Sequence, residues 1–393
     1  MLCPNLKERS DDLKAVVNGA IYKDHEFLQN KALIYDSKIE DIIDYKDVDY
    51  SKYEQVIDAK GLLIVPGFID IHLHGYGGYD TMDDSDDALI NISKRLVENG
   101  VTSFLPTTMT MSVDLIHQAL QRIRNLMTQS FIGAKVLGAH FEGPFINAEY
   151  KGAQSEEFIT YPKIDILKDY EDVIKVITMA PEMRDAMSFI ETISNKGIAI
   201  SIGHTGADYE TVVKAYEHGA KGITHLFNAM TGLQHRKPGC VGAALLKDFC
   251  IEVIADNVHM NPVMYELLLK TKKLEHLILI TDCMRAGGMP EGSYDLGGQK
   301  VIVADGRCLL ENGTLAGSTL KLNQGLTNFM LQTSLELENA VKLVTENPAR
   351  YLNIFDKVGS FDQGKLADIT IIDPQINVHN TIVEGVVLYE KKD

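Results

Sequence analysis

No run of 18 apolar residues occurs in the 393-residue chain, so no segment reads as a membrane-spanning helix. Positive charge is scarce. There are 38 lysines and arginines against 55 aspartates and glutamates, a net charge of −17. That deficit argues against nucleic acid or an anionic membrane as partner, since both need a broad basic face. It is compatible with a small anionic ligand held in a local basic pocket. Cysteine is sparse as well: Cys3, Cys240, Cys250, Cys283 and Cys308 form no CxxC pair. An odd number spread over a long chain is poor material for a disulfide framework. Cys283, although next to Asp282, reads as an inert thiol. The first residues, Met1 to Arg9, lack the apolar core of a signal peptide. Neither a P-loop nor a dinucleotide-binding glycine pattern is present, which leaves nucleotide-driven chemistry without support. Hydrophobic residues at 45% and charged ones at 24% are ordinary globular values. The expectation is an acidic, soluble, cytoplasmic protein.

The two ends of the chain resemble each other and differ from the middle. Residues 14–57 and 359–389 carry short β-type runs punctuated by turns such as Asn18-Gly19. Neither end holds enough residues for a stable sandwich alone. The middle alternates strand and helix patterns, the signature of βαβ units and a parallel sheet. Eight apolar runs read as strands: 62–71, 101–105, 135–141, 174–179, 198–202, 222–226, 250–255 and 276–281. Helical patterns fall at 85–98, 112–128, 182–195, 208–218, 262–271 and 318–332. The predicted fold class is therefore α/β. It consists of a (β/α)₈ TIM-like barrel over 61–349 and a small β-sandwich domain built from both termini, 1–60 and 350–393. The glycine-rich stretch 286–316 reads as a hairpin insertion after the eighth strand.

In such barrels the chemistry sits at the carboxyl ends of the strands. Those positions here carry His72 and His74, Glu142, His204, His225, Asp256 and His259, and Asp282. Nitrogen and oxygen donors converging from several strands suit a divalent transition metal such as Zn²⁺, Mn²⁺ or Fe²⁺. On an extended strand His72 and His74 point to the same side. Glu142 and Asp282 each follow an apolar run, where a carboxylate must be paired, solvated or metal-bound. Either His204 or His225 taken singly reads equally well as a hydrogen-bonded barrel histidine. His25, His117, His218, His276 and His379 read as surface or structural. The loop Gln234 to Gly239 concentrates basic charge. It reads either as a solvated loop or as a clamp for phosphate or carboxylate on the active face.

The order HxH, Glu, His, His, Asp along the barrel strands resembles the amidohydrolase superfamily. Narrower motifs resemble its N-acetylglucosamine-6-phosphate deacetylase family. These are Pro66 to Gly75, His140-Phe141-Glu142-Gly143-Pro144-Phe145, Gly203-His204-Thr205, Thr224 to Met230, Leu315-Ala316-Gly317-Ser318 and Gly364 to Ile369. The resemblance covers nearly the whole chain. It implies one metal on Glu142, His204 and His225 and a second on His72, His74 and Asp282, with Glu142 bridging. Two divalent ions (Zn, Fe or Mn) are therefore expected. The implied substrate contacts are Ala153, Asn228, Ala229, Arg236, His259, Leu315, Ala316 and Gly317, with Arg236 serving a neighbouring subunit's site in a homodimer. In one respect the chain departs from the pattern. Where some relatives place a histidine that polarises the acetyl carbonyl, this chain has Gln154, so carbonyl activation falls more heavily on the metals.

The implied reaction is hydrolysis of the acetamide of a phosphorylated amino sugar, with Asp282 as the catalytic proton acceptor and then donor. An N-acetylgalactosamine-6-phosphate deacetylase or a cyclic amide hydrolase is the alternative within the superfamily. A non-catalytic metal-stabilised scaffold is the alternative from another class, although every expected ligand position is filled.

Overall fold

The computed structural model describes residues 13–129 and 133–392. Cys3 and the opening segment, Met1 to Arg9, lie outside the described residues. The architecture is a curled parallel sheet flanked by helices, joined to a mixed sheet made from the N- and C-terminal strands.

The apolar run 62–71 serves both sheets, because it divides at Gly67. Leu63–Pro66 pairs parallel with Lys14–Lys23 and antiparallel with Ile369–Ile372. Phe68–Leu73 starts the parallel sheet beside Val101–Pro106. Both halves are apolar, so hydropathy alone shows one strand where the chain makes two. The terminal sheet runs Val386–Glu390, Val378–Val383, Ile369–Ile372, Leu63–Pro66, Lys14–Lys23, Glu26–Tyr35, Ile39–Asp44, and Gln55–Asp58 pairs with the first half of Lys14–Lys23. Its core is formed by Val16, Ile21, Leu33, Tyr35, Ile64, Ile369 and Ile371, all buried. The hydroxyls of Thr370 and Thr381 donate to the carbonyls of Gly100 and Val97, which fastens this sheet to the barrel.

The parallel strands fall into two arcs. One joins Lys135–Val136, Val101–Pro106 and Phe68–Leu73; the other runs Ala139–Glu142, Ile174–Met179, Ala199–Ile202, Gly222–Ile223, Cys250–Ile254, Leu277–Ile280. The predicted strand 135–141 breaks at Gly138, whose φ is +149° and where a Cβ would lie 2.4 Å from the Val173 carbonyl oxygen. Bridges from Thr107 to His140 and from Leu73 to Cys283 join the arcs. The first and eighth strands also meet through Asp70. Its Oδ2 accepts from the Thr281 hydroxyl at 2.6 Å, and the Asp282 N–H donates to the His72 carbonyl at 2.9 Å. Burial pushes the Asp70 carboxyl up to about 6, against hydrogen bonds from Thr281 and His72 that lower it. Every residue of Phe68–Leu73 and Val101–Pro106 is buried, as expected for strands covered on both faces.

The helices start where capping residues stand: Ser85 before Asp86–Leu96, Ser112 before Val113–Met127 and Asp208 before Tyr209–Glu217, each accepting a backbone N–H of the first turn. Gly239–Leu246 is a helix with no periodic sequence signal, because Gly239 to Ala244 are all buried and no polar face breaks the pattern. The insertion is a three-stranded antiparallel sheet, Gly292–Leu296, Gln299–Ala304 and Arg307–Leu310. Its first turn uses Gly297 and Gly298 at φ 58° and 81°, the primed geometry that two-residue hairpins favour.

Gly67 is the point where the two sheets share one strand, and a Cβ there would lie 2.1 Å from Thr102 Oγ1. Gly67→Ala should therefore destabilise the fold by about 1–3 kcal/mol through overpacking. A thermal unfolding midpoint equal to that of the unsubstituted protein would show that Thr102 can retreat freely.

Candidate metal centre

Six side chains from five strand ends converge at one end of the curled sheet. Glu142 is 1% exposed and lies at their centre. Its Oε1 is 3.3 Å from His204 Nε2, 3.2 Å from His225 Nε2 and 3.4 Å from His72 Nε2. Its Oε2 is 3.2 Å from His74 Nε2. Asp282 Oδ1 is 3.3 Å from His74 Nε2 and 3.5 Å from His72 Nε2. Two triads, His72–His74–Asp282 and Glu142–His204–His225, each bring their donor atoms within 4.8 Å of one another.

The other ring nitrogen decides what these imidazoles present to the centre. His72 Nδ1 faces Glu252 Oε2 at 2.9 Å, His74 Nδ1 the Thr107 carbonyl at 3.3 Å, and His204 Nδ1 the Tyr150 carbonyl at 2.9 Å. These partners only accept, so the proton sits on Nδ1 and the Nε2 lone pair is turned inward. His204 Nε2 and His225 Nε2 lie 3.2 Å apart. A proton or a metal ion between them satisfies both nitrogens. His72 Nε2 is buried and makes no hydrogen bond with any described residue. A borderline divalent ion satisfies all of these atoms, and the donor set fits Zn²⁺, Fe²⁺ or Mn²⁺.

Protons compete for the same atoms. Burial lowers the His74 pKa, but hydrogen bonds to Asp282 and Glu142 outweigh it and lift it to about 9. Burial would raise the Asp282 pKa; the hydrogen bond from His74, and the charges of His72 and His225, instead lower it to about 2. Glu142 lies well below the ordinary glutamate range, because His72, His204 and His225 overcome its burial. The carboxylates are thus ionised across the neutral range.

The backbone bends sharply where these ligands sit. His204, His225 and Asp282 have φ of 49°, 31° and 48°, in the left-handed region that non-glycine residues rarely adopt. Such residues cost about 1–3 kcal/mol each and persist where the surrounding structure over-determines them.

A cavity of about 460 Å³ opens over the triads. Ala153, Asn228, Ala229, His259, Leu315 and Gly317 line it together with His74, Glu142, His204, His225 and Asp282. His259 Nδ1 is held at 2.7 Å by Asp256 Oδ2. Burial disfavours a charged His259, but that hydrogen bond and the Asp256 charge prevail and raise its pKa. Ala316 does not line the cavity; it supports the loop from behind, its N–H donating to the Cys308 carbonyl at 3.0 Å. Arg236 lies outside the cavity, on an exposed loop, with Nη1 2.7 Å from His235 Nε2.

Two contributors escape a reading confined to strand ends. Gln154, 3% exposed, donates from Nε2 to Glu142 Oε2 at 2.7 Å and accepts from the Thr110 N–H at 2.7 Å. Held at both ends of its amide, it orients the central carboxylate from the cavity wall, which it lines. Glu252 sits in the middle of the apolar strand Cys250–Ile254. Its sequence signal is the one that singled out Glu142: a carboxylate in an apolar run.

Residues 63–388 match the model of the amidohydrolase family. The chain is 39% identical over 384 residues to a Bacillus subtilis N-acetylglucosamine-6-phosphate deacetylase, covering 95% of this chain and 96% of the relative. It is 35% identical over 335 residues to an Escherichia coli N-acetylgalactosamine-6-phosphate deacetylase, covering 84% and 89%. The crystal structure of N-acetylglucosamine-6-phosphate deacetylase from Pasteurella multocida superposes with a TM-score of 0.92 at 33% identity, covering 96% of this chain and 100% of that one.

Replacing Gln154 by Ala should loosen Glu142 and weaken metal binding by about 10–100-fold, as for other outer partners of metal ligands. The check is a chelator-competition titration, with circular dichroism confirming the fold; equal affinities would remove Gln154 from the centre.

Proposed function

The chain belongs to the amidohydrolase family and carries the ligand clusters of a metal-dependent hydrolase, and on that premise we propose that it deacetylates N-acetyl-D-glucosamine 6-phosphate. The products are acetate and D-glucosamine 6-phosphate. The observation that carries this reading is the pair of buried triads, Glu142 of one lying within 3.4 Å of His72 and His74 of the other, on the floor of a cavity of about 460 Å³, a size suited to one small ligand. Glu142, His204 and His225 would hold one divalent ion and His72, His74 and Asp282 a second; Zn²⁺, Fe²⁺ and Mn²⁺ all suit these donors. When bound, such ions supply Lewis acidity that activates a water and polarises an acyl oxygen.

The chain's own residues do the rest. Asp282, ionised at neutral pH, accepts the proton of the attacking water and passes it to the nitrogen of the departing amine. Gln154, held by the Thr110 N–H, keeps Glu142 in place. Asn228, Ala229, Ala153 and the Leu315–Gly317 loop bind the sugar. His259, poised by Asp256, and Lys151, the single lysine or arginine lining the cavity among the described residues, are the cationic candidates for the phosphate within it.

Arg236 completes phosphate binding in a neighbouring subunit of a homodimer. Its exposure, and that of Leu233 at 56% and Leu246 at 72% around the same helix, support this placement. The same reading places the reaction in the cytoplasm, where the free thiols of Cys240, Cys250, Cys283 and Cys308 are stable. The Escherichia coli relative named for the galactose epimer supports a second reading, deacetylation of N-acetylgalactosamine 6-phosphate.

Acetate release should be measured on both phosphosugars and on free N-acetylglucosamine, with elemental analysis of the protein. Rapid turnover of N-acetylglucosamine 6-phosphate, and little of the unphosphorylated sugar, is expected; preference for the galacto compound selects the second reading. Asp282→Asn should cut kcat by about 10²–10⁴-fold while most of the metal stays bound. Arg236→Ala should raise KM for the phosphosugar by roughly 10–100-fold, the value of a charge-assisted hydrogen bond, with kcat little changed. An unaltered KM would dissociate that loop from the phosphate.

A further inference from the structure

We propose that Glu252 is the positioning residue that makes His72 a metal ligand and ties the two triads into one centre. This rests on the paired-metal reading above. Glu252 is 2% exposed in a strand whose other residues are Cys250, Ile251, Val253 and Ile254. Its Oε2 is 2.9 Å from His72 Nδ1, and the same oxygen accepts the His225 backbone N–H at 3.2 Å. His72 belongs to one triad and His225 to the other. A single carboxylate oxygen therefore touches a residue of each.

The need for it lies in the imidazole itself. A neutral ring carries its proton on either nitrogen, and only with the proton on Nδ1 does the Nε2 lone pair face Glu142 and Asp282. His74 and His204 have backbone carbonyls at Nδ1, which the fold supplies regardless of side chain. His72 depends on Glu252. An ionised acceptor also enriches the ring with electron density and strengthens it as a donor to a cation.

His140, whose ring centroid is 4.5 Å from that of His72, could be mistaken for a third ligand with His72 and Glu252. Both of its nitrogens are already committed. Nδ1 donates to the Ile71 carbonyl at 2.9 Å and Nε2 is 2.7 Å from the Thr178 hydroxyl. It packs against His72 and presents no free lone pair, so the His72–His140–Glu252 group supports the centre and is not a further metal site.

The test compares the full-length protein with E252A, E252Q and, as reference, H72N. Each is equilibrated with Zn²⁺, and ions per chain and stepwise affinities are measured by elemental analysis and competition with a chromogenic chelator. The unsubstituted protein should bind two ions. E252A should keep the tighter one and bind the second about 10–100-fold more weakly, approaching H72N. E252Q, whose amide oxygen accepts from His72 without the charge, should fall between, at about a 10-fold loss. A purely structural role would lower the unfolding temperature without moving the second ion's affinity selectively. Two ions at unchanged affinities in E252A overturn the proposal; if E252A does not fold, unchanged affinities in E252Q overturn it. A single ion in the unsubstituted protein overturns the paired-metal reading itself, which is a separate failure.

Discussion

A carboxylate with 1% exposure, within 3.4 Å of four imidazole nitrogens, is the constraint from which the rest of the molecule follows. An isolated charge at the position of Glu142 would be intolerable in a dry interior. Cations must surround it, whether protons on the histidines or metal ions between them. Behind three of the rings, His72, His74 and His204, stand acceptors that set the tautomer, from Glu252, Thr107 and Tyr150. The strained backbone at His204, His225 and Asp282 belongs to the same chain of consequences. A strand running straight on would carry those side chains past the centre.

The ligand set was legible in the sequence because each member lies at the carboxyl end of an apolar run, and the distance between neighbours in such a motif is only one or two residues. His72 and His74 are the clearest case, since strand alternation alone places them side by side. Glu252 offered as good a signal as Glu142 but lies in mid-strand, where attention to strand ends passes over it. The role of Gln154 is not a local property. It depends on Thr110 and Glu142 arriving at its two ends from other parts of the chain. The helix Gly239–Leu246 and the break at Gly67 were illegible for a related reason: each is buried on all sides, and uniform burial leaves no periodicity to read.

The terminal sheet positions the centre through the strand it shares with the barrel. Leu63–Pro66 is held between Lys14–Lys23 and Ile369–Ile372, and the Gly67 N–H donates to the Asp368 carbonyl at 2.9 Å. The Asp368 carboxylate, 4% exposed, in turn takes Lys135 at 2.7 Å from the barrel. The strand bearing His72 and His74 is thus anchored at its start as firmly as at its catalytic end.

The antiparallel insertion after the eighth strand hydrogen-bonds mainly to itself. It supplies Leu296, Gln299 and Leu310 to the cavity wall, while none of its residues belongs to either triad. It packs on the barrel through an apolar cluster, Leu296, Val301, Val303 and Cys308 against Met109, Met284 and Ala286; in addition Gln299 donates to the Ala153 carbonyl, and Asp295 joins Asp80 and Asp83 around Arg285. The molecule therefore separates the parts that do chemistry from a part that shapes what reaches them. A change of length or side chain in that small sheet alters the entrance to the cavity without replacing any residue of either triad, which makes it the natural place for selection, in nature or in the laboratory, to diversify the enzyme.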